Sequence, residues 1–175
     1  FPAMTNSGSG NQGIAATEPV TVVADFLGVT PEKRLRALAL SSMVAIYAHG
    51  YLPKLSAFCA TVTASMGAAA GMAWLLADNE PLAVIERALA TMSGSIVGMV
   101  CDGAANSCSM KVSASVHAAY EAVLLALNDV RVQGTDGLVA HSAEECLKNV
   151  GLLASQGMQQ TDEEVLRIML HKNKA

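Results

Sequence analysis

The segment "LSAFCATVTASMGAAAGMAWLLA" (Leu55–Ala77) is a run of 23 residues without a charged side chain. Its length would allow one helix to cross a bilayer. However, Thr, Ser, Cys and Gly interrupt the apolar side chains, and the centre of the run consists mainly of Ala and Gly. We therefore expect a helix that is buried on all sides by other helices, whose small side chains permit close packing. No membrane association is expected.

The composition of the whole chain also favours helices over strands. Hydrophobic residues make up 52% of its 175 residues, but aromatic residues make up only 4%. Ala, Leu and Met form helices readily, whereas strands prefer aromatic and β-branched residues. No segment alternates clearly with a period of two residues. The sequence predicts one all-α domain of about six helices, with the buried small-residue helix at its centre.

Capping signals mark the starts of several helices. Thr30 precedes Pro31, which suits the first helical position, and Ser142 with Glu145 forms a capping box, as Thr161 with Glu164 does further along the chain. The first seventeen residues are rich in glycine and carry no charge, so they predict a loop. The predicted helices are 30–50, 56–77, 81–101, 108–129, 142–158 and 161–173.

Charge and cysteine content limit the classes of partner. The formal net charge is −4, and no basic stripe interleaves with aromatic residues, so nucleic acid is not an expected partner. The chain has four cysteines and no secretory signal pattern at its start. Thiols in such a chain are expected to be reduced, and we expect a cytoplasmic location.

Two cysteines lie close together in "GMVCDGAANSCSMKV" (Gly98–Val112), where Cys101 should end one helix and Cys108 should begin the next. A helix N-terminus favours a thiolate, which suits a metal ligand, but neither C-x2-C nor paired histidines complete a zinc site. Cys59 makes a third soft ligand available, and three thiolates would leave an open position on an iron–sulfur cluster. Cysteines that are only part of the core are the alternative. Cys146, inside an amphipathic helix, is expected to be structural.

The stretch "TNSGSGNQG" (Thr5–Gly13) is a second candidate site. Its glycines allow backbone amides to converge on an anion, and its polar side chains offer neutral hydrogen bonds to a small carboxylate or phosphate. It matches neither a P-loop nor a dinucleotide fingerprint. A flexible terminus without a binding role is the alternative.

Four motifs together resemble the C-terminal part of the serine dehydratase alpha-chain-like family, in its L-cysteine desulfidase branch. They are "SGSGNQGIAATEPV", "LSAFCATVTASMGAAAGMAWLL", "GMVCDGAANSCSMKV" and "GTDGLV", and they cover nearly the whole chain in the family's order. The resemblance implies that residues 1–175 are an iron–sulfur-binding domain and a fragment of a longer protein.

The resemblance also implies a site. Its 4Fe-4S cluster would be held by Cys59, Cys101 and Cys108, which should converge, and its substrate would be bound by Ser7, Ser9, Asn11 and Gln12. The implied reaction is α,β-elimination of L-cysteine or L-serine, in which an open iron acts as Lewis acid. The branch commonly has "GAK" and Gly before the last ligand, where this chain has Ala105, Asn106 and Ser107, so the shape of this loop is expected to differ.

Several expectations concern partners. The catalytic base should lie outside this chain, in the N-terminal region of the same protein or in a partner subunit, and the substrate should be a small amino acid. The formation of a homo-oligomer is left open. The alternative from another class is a non-catalytic helical interaction domain with core cysteines.

Overall fold

The computed structural model describes residues 2–172, and these residues fold into helices around one central helix. Apart from two isolated bridges, no β-structure occurs in this range. The all-α class predicted from the sequence is confirmed. The helices are α1 (Gly10–Phe26), α2 (Pro31–His49), α3 (Thr61–Leu76), α4 (Pro81–Ser95), α5 (Cys108–Leu127), α6 (Ala143–Leu152) and α7 (Gln159–His171), with a π-helical segment, Leu153–Gly157, before α7.

Helix α3 is the predicted small-residue helix, and 14 of its 16 residues are buried. It packs against α1, α2, α4 and α5. Gly67 and Gly71 face α2: a Cβ atom at Gly67 would overlap the carbonyl oxygen of Ser41, and one at Gly71 would lie 3.0 Å from the carbonyl oxygen of Ala37. The two helix backbones are therefore in direct contact.

Local signals placed two helix starts correctly. The hydroxyl oxygen of Thr30 accepts a hydrogen bond from the amide of Lys33 at 3.2 Å, and Pro31 is the first residue of α2. The Ser142 hydroxyl accepts from the amide of Glu145 at 3.2 Å and donates to its carboxylate at 3.1 Å. Both arrangements satisfy amide groups that have no partner within the helix.

Four boundaries differ from the sequence prediction. The first seventeen residues are not all loop, since α1 begins at Gly10 and buries Ala15, Ala16, Val20 and Ala24 on one face. The central helix begins at Thr61 rather than at 56, and α4 ends at Ser95 rather than at Cys101, because the backbones of 57–59 and 99–101 pair with each other. Helix α7 begins before Thr161, so that residue does not cap it. The predicted end of this helix at 173 lies outside the described residues.

The contact between α2 and α3 predicts that Gly67→Ala destabilises the fold. The new methyl group would overlap the Ser41 carbonyl group, and overpacking of this kind costs about 1–3 kcal/mol in the free energy of unfolding. Urea denaturation of the two proteins measures this difference. Gly98→Ala is the matched control, since a Cβ there meets no atom within 4 Å. Equal stability of G67A and wild type would contradict the close contact.

His49, in the last turn of α2, predicts a pH dependence of stability. Its side chain is half-buried, its Nδ1 has no hydrogen-bond partner among the described residues, and burial lowers the pKa of its imidazole. Below about pH 6.5 the unfolded chain therefore binds a proton that the folded chain resists, and the free energy of unfolding falls.

The measurement is urea denaturation at about pH 7.5 and about pH 5.5, where His49→Gln should lose less stability on acidification than wild type. An equal loss in both proteins would assign the pH dependence to other groups.

Candidate functional site

Three helices begin at the same end of the bundle. Ala15 and Ala16 of α1, Ala64 of α3, and Val112 and Val116 of α5 pack in one apolar cluster with Ala45. Each of the residues from α1, α3 and α5 lies within about the first three turns of its own helix. The positive ends of three helix dipoles therefore lie close together at this end, which favours negative charge.

Helix α1 reaches this end through the glycine-rich stretch. The Ser9 hydroxyl caps the helix by accepting from the amide of Gln12 at 3.2 Å. Ser7 has a left-handed backbone with φ +54°, and its hydroxyl donates to the side-chain oxygen of Asn6 at 2.8 Å. A side chain at Gly13 would overlap the backbone of Met4, which crosses the helix there.

The predicted substrate-binding residues therefore lie in a helix start and not in a free loop. Gln12 is 8% exposed, and its buried Oε1 accepts no hydrogen bond from the described residues. Asn11, one position earlier, is exposed, and Ser7 and Ser9 are partly exposed. Gly13, which favours a loop by local composition, lies inside the helix because the Met4 backbone crosses the helix there.

Cys59 and Cys101 lie on paired extended segments. The amide of Cys59 donates to the carbonyl of Met99 at 3.0 Å, and the amide of Cys101 donates to the carbonyl of Ala57 at 2.5 Å. Phe58 stands opposite Val100 in this antiparallel bridge. Because successive residues alternate between faces, the two cysteines share the face opposite Phe58 as diagonal neighbours.

Cys108 is the first residue of α5, as the sequence predicted. Its thiol donates to the carbonyl oxygen of Gly103 at 3.5 Å, within the loop that connects it to Cys101. Ser107, which precedes the helix, makes no side-chain cap. The first amides of α5 donate to backbone carbonyl groups instead, that of Cys108 to Ala105 at 3.0 Å and that of Ser109 to Asn106 at 3.2 Å.

A buried polar chain joins Cys59 to α5. The Sγ of Cys59 lies 3.1 Å from the hydroxyl oxygen of Thr61, which lies 3.1 Å from the hydroxyl oxygen of Ser115. Met99, the residue opposite Cys59, contacts both hydroxyl groups through its sulfur, at 3.8 and 3.7 Å. The shared face of the two extended segments is therefore directed at the start of α3 and at Ser115 in the third turn of α5.

Lys111 is the only charged residue in the first two turns of α5, and its side chain lies in this region. It forms an ion pair with Asp102, the residue after Cys101. Burial by itself would lower the pKa of its ammonium group, but Asp102, Cys59 and Cys101 raise this pKa, and the net pKa is raised. Lys111 thus stays charged beside two of the thiols.

Sequence reasoning did not assign a role to Thr61, Ser115, Asp102 or Lys111. A signal was available for two of them, because Lys111 and Ser115 follow Cys108 by three and seven residues, which is the spacing of one helix face. Asp102 and Thr61 become recognisable only through the contacts of the folded chain.

The donor set suits an iron–sulfur cluster. Cys59, Cys101 and Cys108 carry free thiols, and thiolates are the ligands that such clusters use. Among residues 2–172, no group of three or more Cys, His, Asp or Glu side chains is placed to hold a metal ion, so the predicted convergence of Cys59, Cys101 and Cys108 on one point is not found. A cluster makes a different demand, since each of its thiolates binds a separate iron.

Cys146 lies in a different part of the fold. It is fully buried with Ala90 and Val139, and its sulfur accepts from the amide of Ala140 at 3.2 Å. This burial agrees with the structural role expected from the sequence.

None of the helices within residues 2–172 combines the length and the apolar character that a bilayer-spanning segment requires.

Fold and site together define an all-α domain that carries three thiols and three helix starts at one end. The family model described as serine dehydratase alpha chain matches residues 1–167, and the chain belongs to this family. The resemblance of the sequence motifs to the serine dehydratase alpha-chain family is thereby confirmed.

Three curated relatives illustrate the similarity. The chain is 57% identical to the UPF0597 protein PPA0217 of Cutibacterium acnes, 56% to a UPF0597 protein of Chromobacterium violaceum and 55% to the UPF0597 protein YhaM of Escherichia coli, each over 98% of its own length. It spans only 48%, 40% and 39% of these proteins, respectively. No solved structure matches the chain.

The polar chain predicts a specific pattern of stability. Thr61→Val keeps the shape of the side chain but leaves the buried Ser115 hydroxyl without its closest partner, which should cost about 1–3 kcal/mol of unfolding free energy. The double variant T61V/S115A removes both hydroxyl groups and should be closer to wild type than T61V. Chemical denaturation of wild type, T61V, S115A and the double variant completes the cycle, and additive losses would show that the two hydroxyls do not interact.

Proposed function

We propose that this chain is the iron–sulfur-binding part of a lyase that catalyses α,β-elimination from L-cysteine or L-serine. Membership of the serine dehydratase alpha-chain family supports a lyase role. The observation that supports the proposal is the pairing of the backbones that carry Cys59 and Cys101, together with the Asp102–Lys111 ion pair that joins this pairing to the helix begun by Cys108. The overall reaction would convert L-cysteine and water into pyruvate, ammonia and hydrogen sulfide, or L-serine into pyruvate and ammonia.

The three cysteines would hold a 4Fe-4S cluster and leave one iron without a protein thiolate. When bound, this cluster supplies a Lewis acid for the β-sulfur or β-oxygen of the substrate, which is a poor leaving group by itself. Besides holding the cluster, the chain would stabilise negative charge in the site. The N-termini of α1, α3 and α5 favour the negative charge of the thiolates, and they also favour that of a substrate carboxylate.

The start of α1 would bind the ends of the amino acid that do not react. The amides of Gly10 and Asn11 and the hydroxyl group of Ser9 can donate to a carboxylate, and the Ser7 hydroxyl can do so by leaving Asn6; Asn11 lies at the exposed edge. The buried Oε1 of Gln12 is an unused acceptor and suits the substrate ammonium group. A buried acceptor without a partner is costly, so a bound ammonium would stabilise this side chain.

Removal of the α-proton is assigned to a residue outside this chain. The curated relatives are more than twice as long as the segment that matches, so the base that removes the α-proton is proposed to come from a further region of the same protein or from a partner subunit. A homo-oligomer is compatible with this assignment. Free thiols in the site are consistent with a reducing, cytoplasmic location.

Anaerobic reconstitution of this chain with iron and sulfide tests the proposal. Wild type should turn brown and hold about four irons and about four sulfides per chain. Cys59→Ala, Cys101→Ala and Cys108→Ala should each lose the visible absorption, because each removes one of only three thiolate ligands. Cys146→Ala is the matched control and should retain it.

Circular dichroism of each variant verifies that the helices remain intact. A colourless wild-type protein, or an unchanged cluster in C101A, would contradict the proposal and favour a non-catalytic helical interaction domain.

A further inference from the structure

Lys111 occupies a central place among the three cysteine-bearing segments. On α5 it lies three residues after Cys108 and four residues before Ser115, so all three residues share one face of the helix. Ser115 contacts Thr61, and Thr61 contacts Cys59. The ammonium group of Lys111 is paired with the carboxylate of Asp102, which directly follows Cys101. The start of α5 thus brings the ammonium group of Lys111 next to all three cysteine-bearing segments.

The burial of this lysine is unusual for a charged residue. Its side chain is only 19% exposed, whereas that of Asp102 is 52% exposed. Lysines are seldom buried unless a partner compensates their charge. Asp102 supplies one negative charge, and the negative charge of Cys59 or Cys101 would add to it. The ammonium group of Lys111 is therefore placed where it can compensate further negative charge beside Cys59 and Cys101.

We propose that Lys111 is a positioning residue that compensates the negative charge of the thiolate-bound cluster and raises its reduction potential, while Asp102 holds the ammonium in place and lowers this potential. The inference rests on the proposed function, because it requires a cluster at Cys59, Cys101 and Cys108. The potential of an iron–sulfur cluster depends on the net charge around it. A nearby cation favours the reduced, more negative form, and a nearby carboxylate disfavours it.

The ion pair has a second consequence for the loop between Cys101 and Cys108. Asp102 lies at its start, and Lys111 lies in the first turn of the helix that follows it. The pair joins the two ends of this loop, together with the hydrogen bond from the Cys108 thiol to the Gly103 carbonyl. Removal of the lysine should therefore also weaken the retention of iron.

The test uses Lys111→Met, Lys111→Arg and Asp102→Asn in the anaerobically reconstituted chain. Lys148→Met is the matched control, since it breaks the ion pair with Glu144 on α6. Iron retention against a chelator and the midpoint potential from a dye-mediated titration are measured for each protein. K111M should retain iron roughly tenfold less well than wild type, as expected for the loss of a residue that supports the ligands.

The direction of the potential shift separates charge compensation from a merely structural role. K111M should shift the midpoint potential to more negative values, D102N should shift it to more positive values, and K111R and K148M should remain close to wild type. Shifts of K111M and D102N in the same direction, or no shift in K111M, would overturn the inference.

The same experiment distinguishes this inference from the proposed function. If wild type forms a cluster, C101A loses it and K111M behaves as wild type, only the role of Lys111 is refuted. If wild type forms no cluster under these conditions, the proposed function and this inference are both refuted.

Discussion

The contact between the backbones of α2 and α3 is the constraint on which the rest of the structure depends. Gly67 and Gly71 remove the side-chain layer that normally separates two helices, and the Ala37, Ser41 and Ala45 stripe of α2 fills the resulting groove. With so little side-chain volume, α3 can be surrounded closely by α1, α2, α4 and α5. This packing places the starts of α1, α3 and α5 at one end of the bundle.

The site arises at this end because the chain interrupts its helices there. Residues 57–59 and 99–101 form a short antiparallel pairing instead of extending α3 and α4. Phe58 points into the core on one side of the pairing, so Cys59 and Cys101 are left on the other side, toward α5. The same end carries the buried acceptor of Gln12 and the ammonium of Lys111. Thiols, a cation and helix N-termini are thereby combined in a region suited to an anionic centre.

The sequence contained enough information for the helical class, the central helix and two helix caps. A long uncharged run of Ala and Gly has few alternatives to a buried helix, and the signals at Thr30 and Ser142 are local hydrogen bonds between near neighbours. The start of α1 was wrong because Gly13 is required by a tertiary contact with Met4, which local composition cannot reveal. The apolar run before Cys101 was assigned to a helix because periodicity does not separate a short buried helix from an extended segment.

The central claim is that three protein thiolates hold a cluster in which one iron is open to the substrate. Mössbauer spectroscopy of the chain reconstituted anaerobically with iron-57 tests it most directly. The account predicts a 4Fe-4S spectrum in which roughly one iron in four changes its parameters when L-cysteine is added, while the others do not. A cluster whose irons all remain unchanged with L-cysteine, or the absence of a cluster from the reconstituted protein, would contradict it.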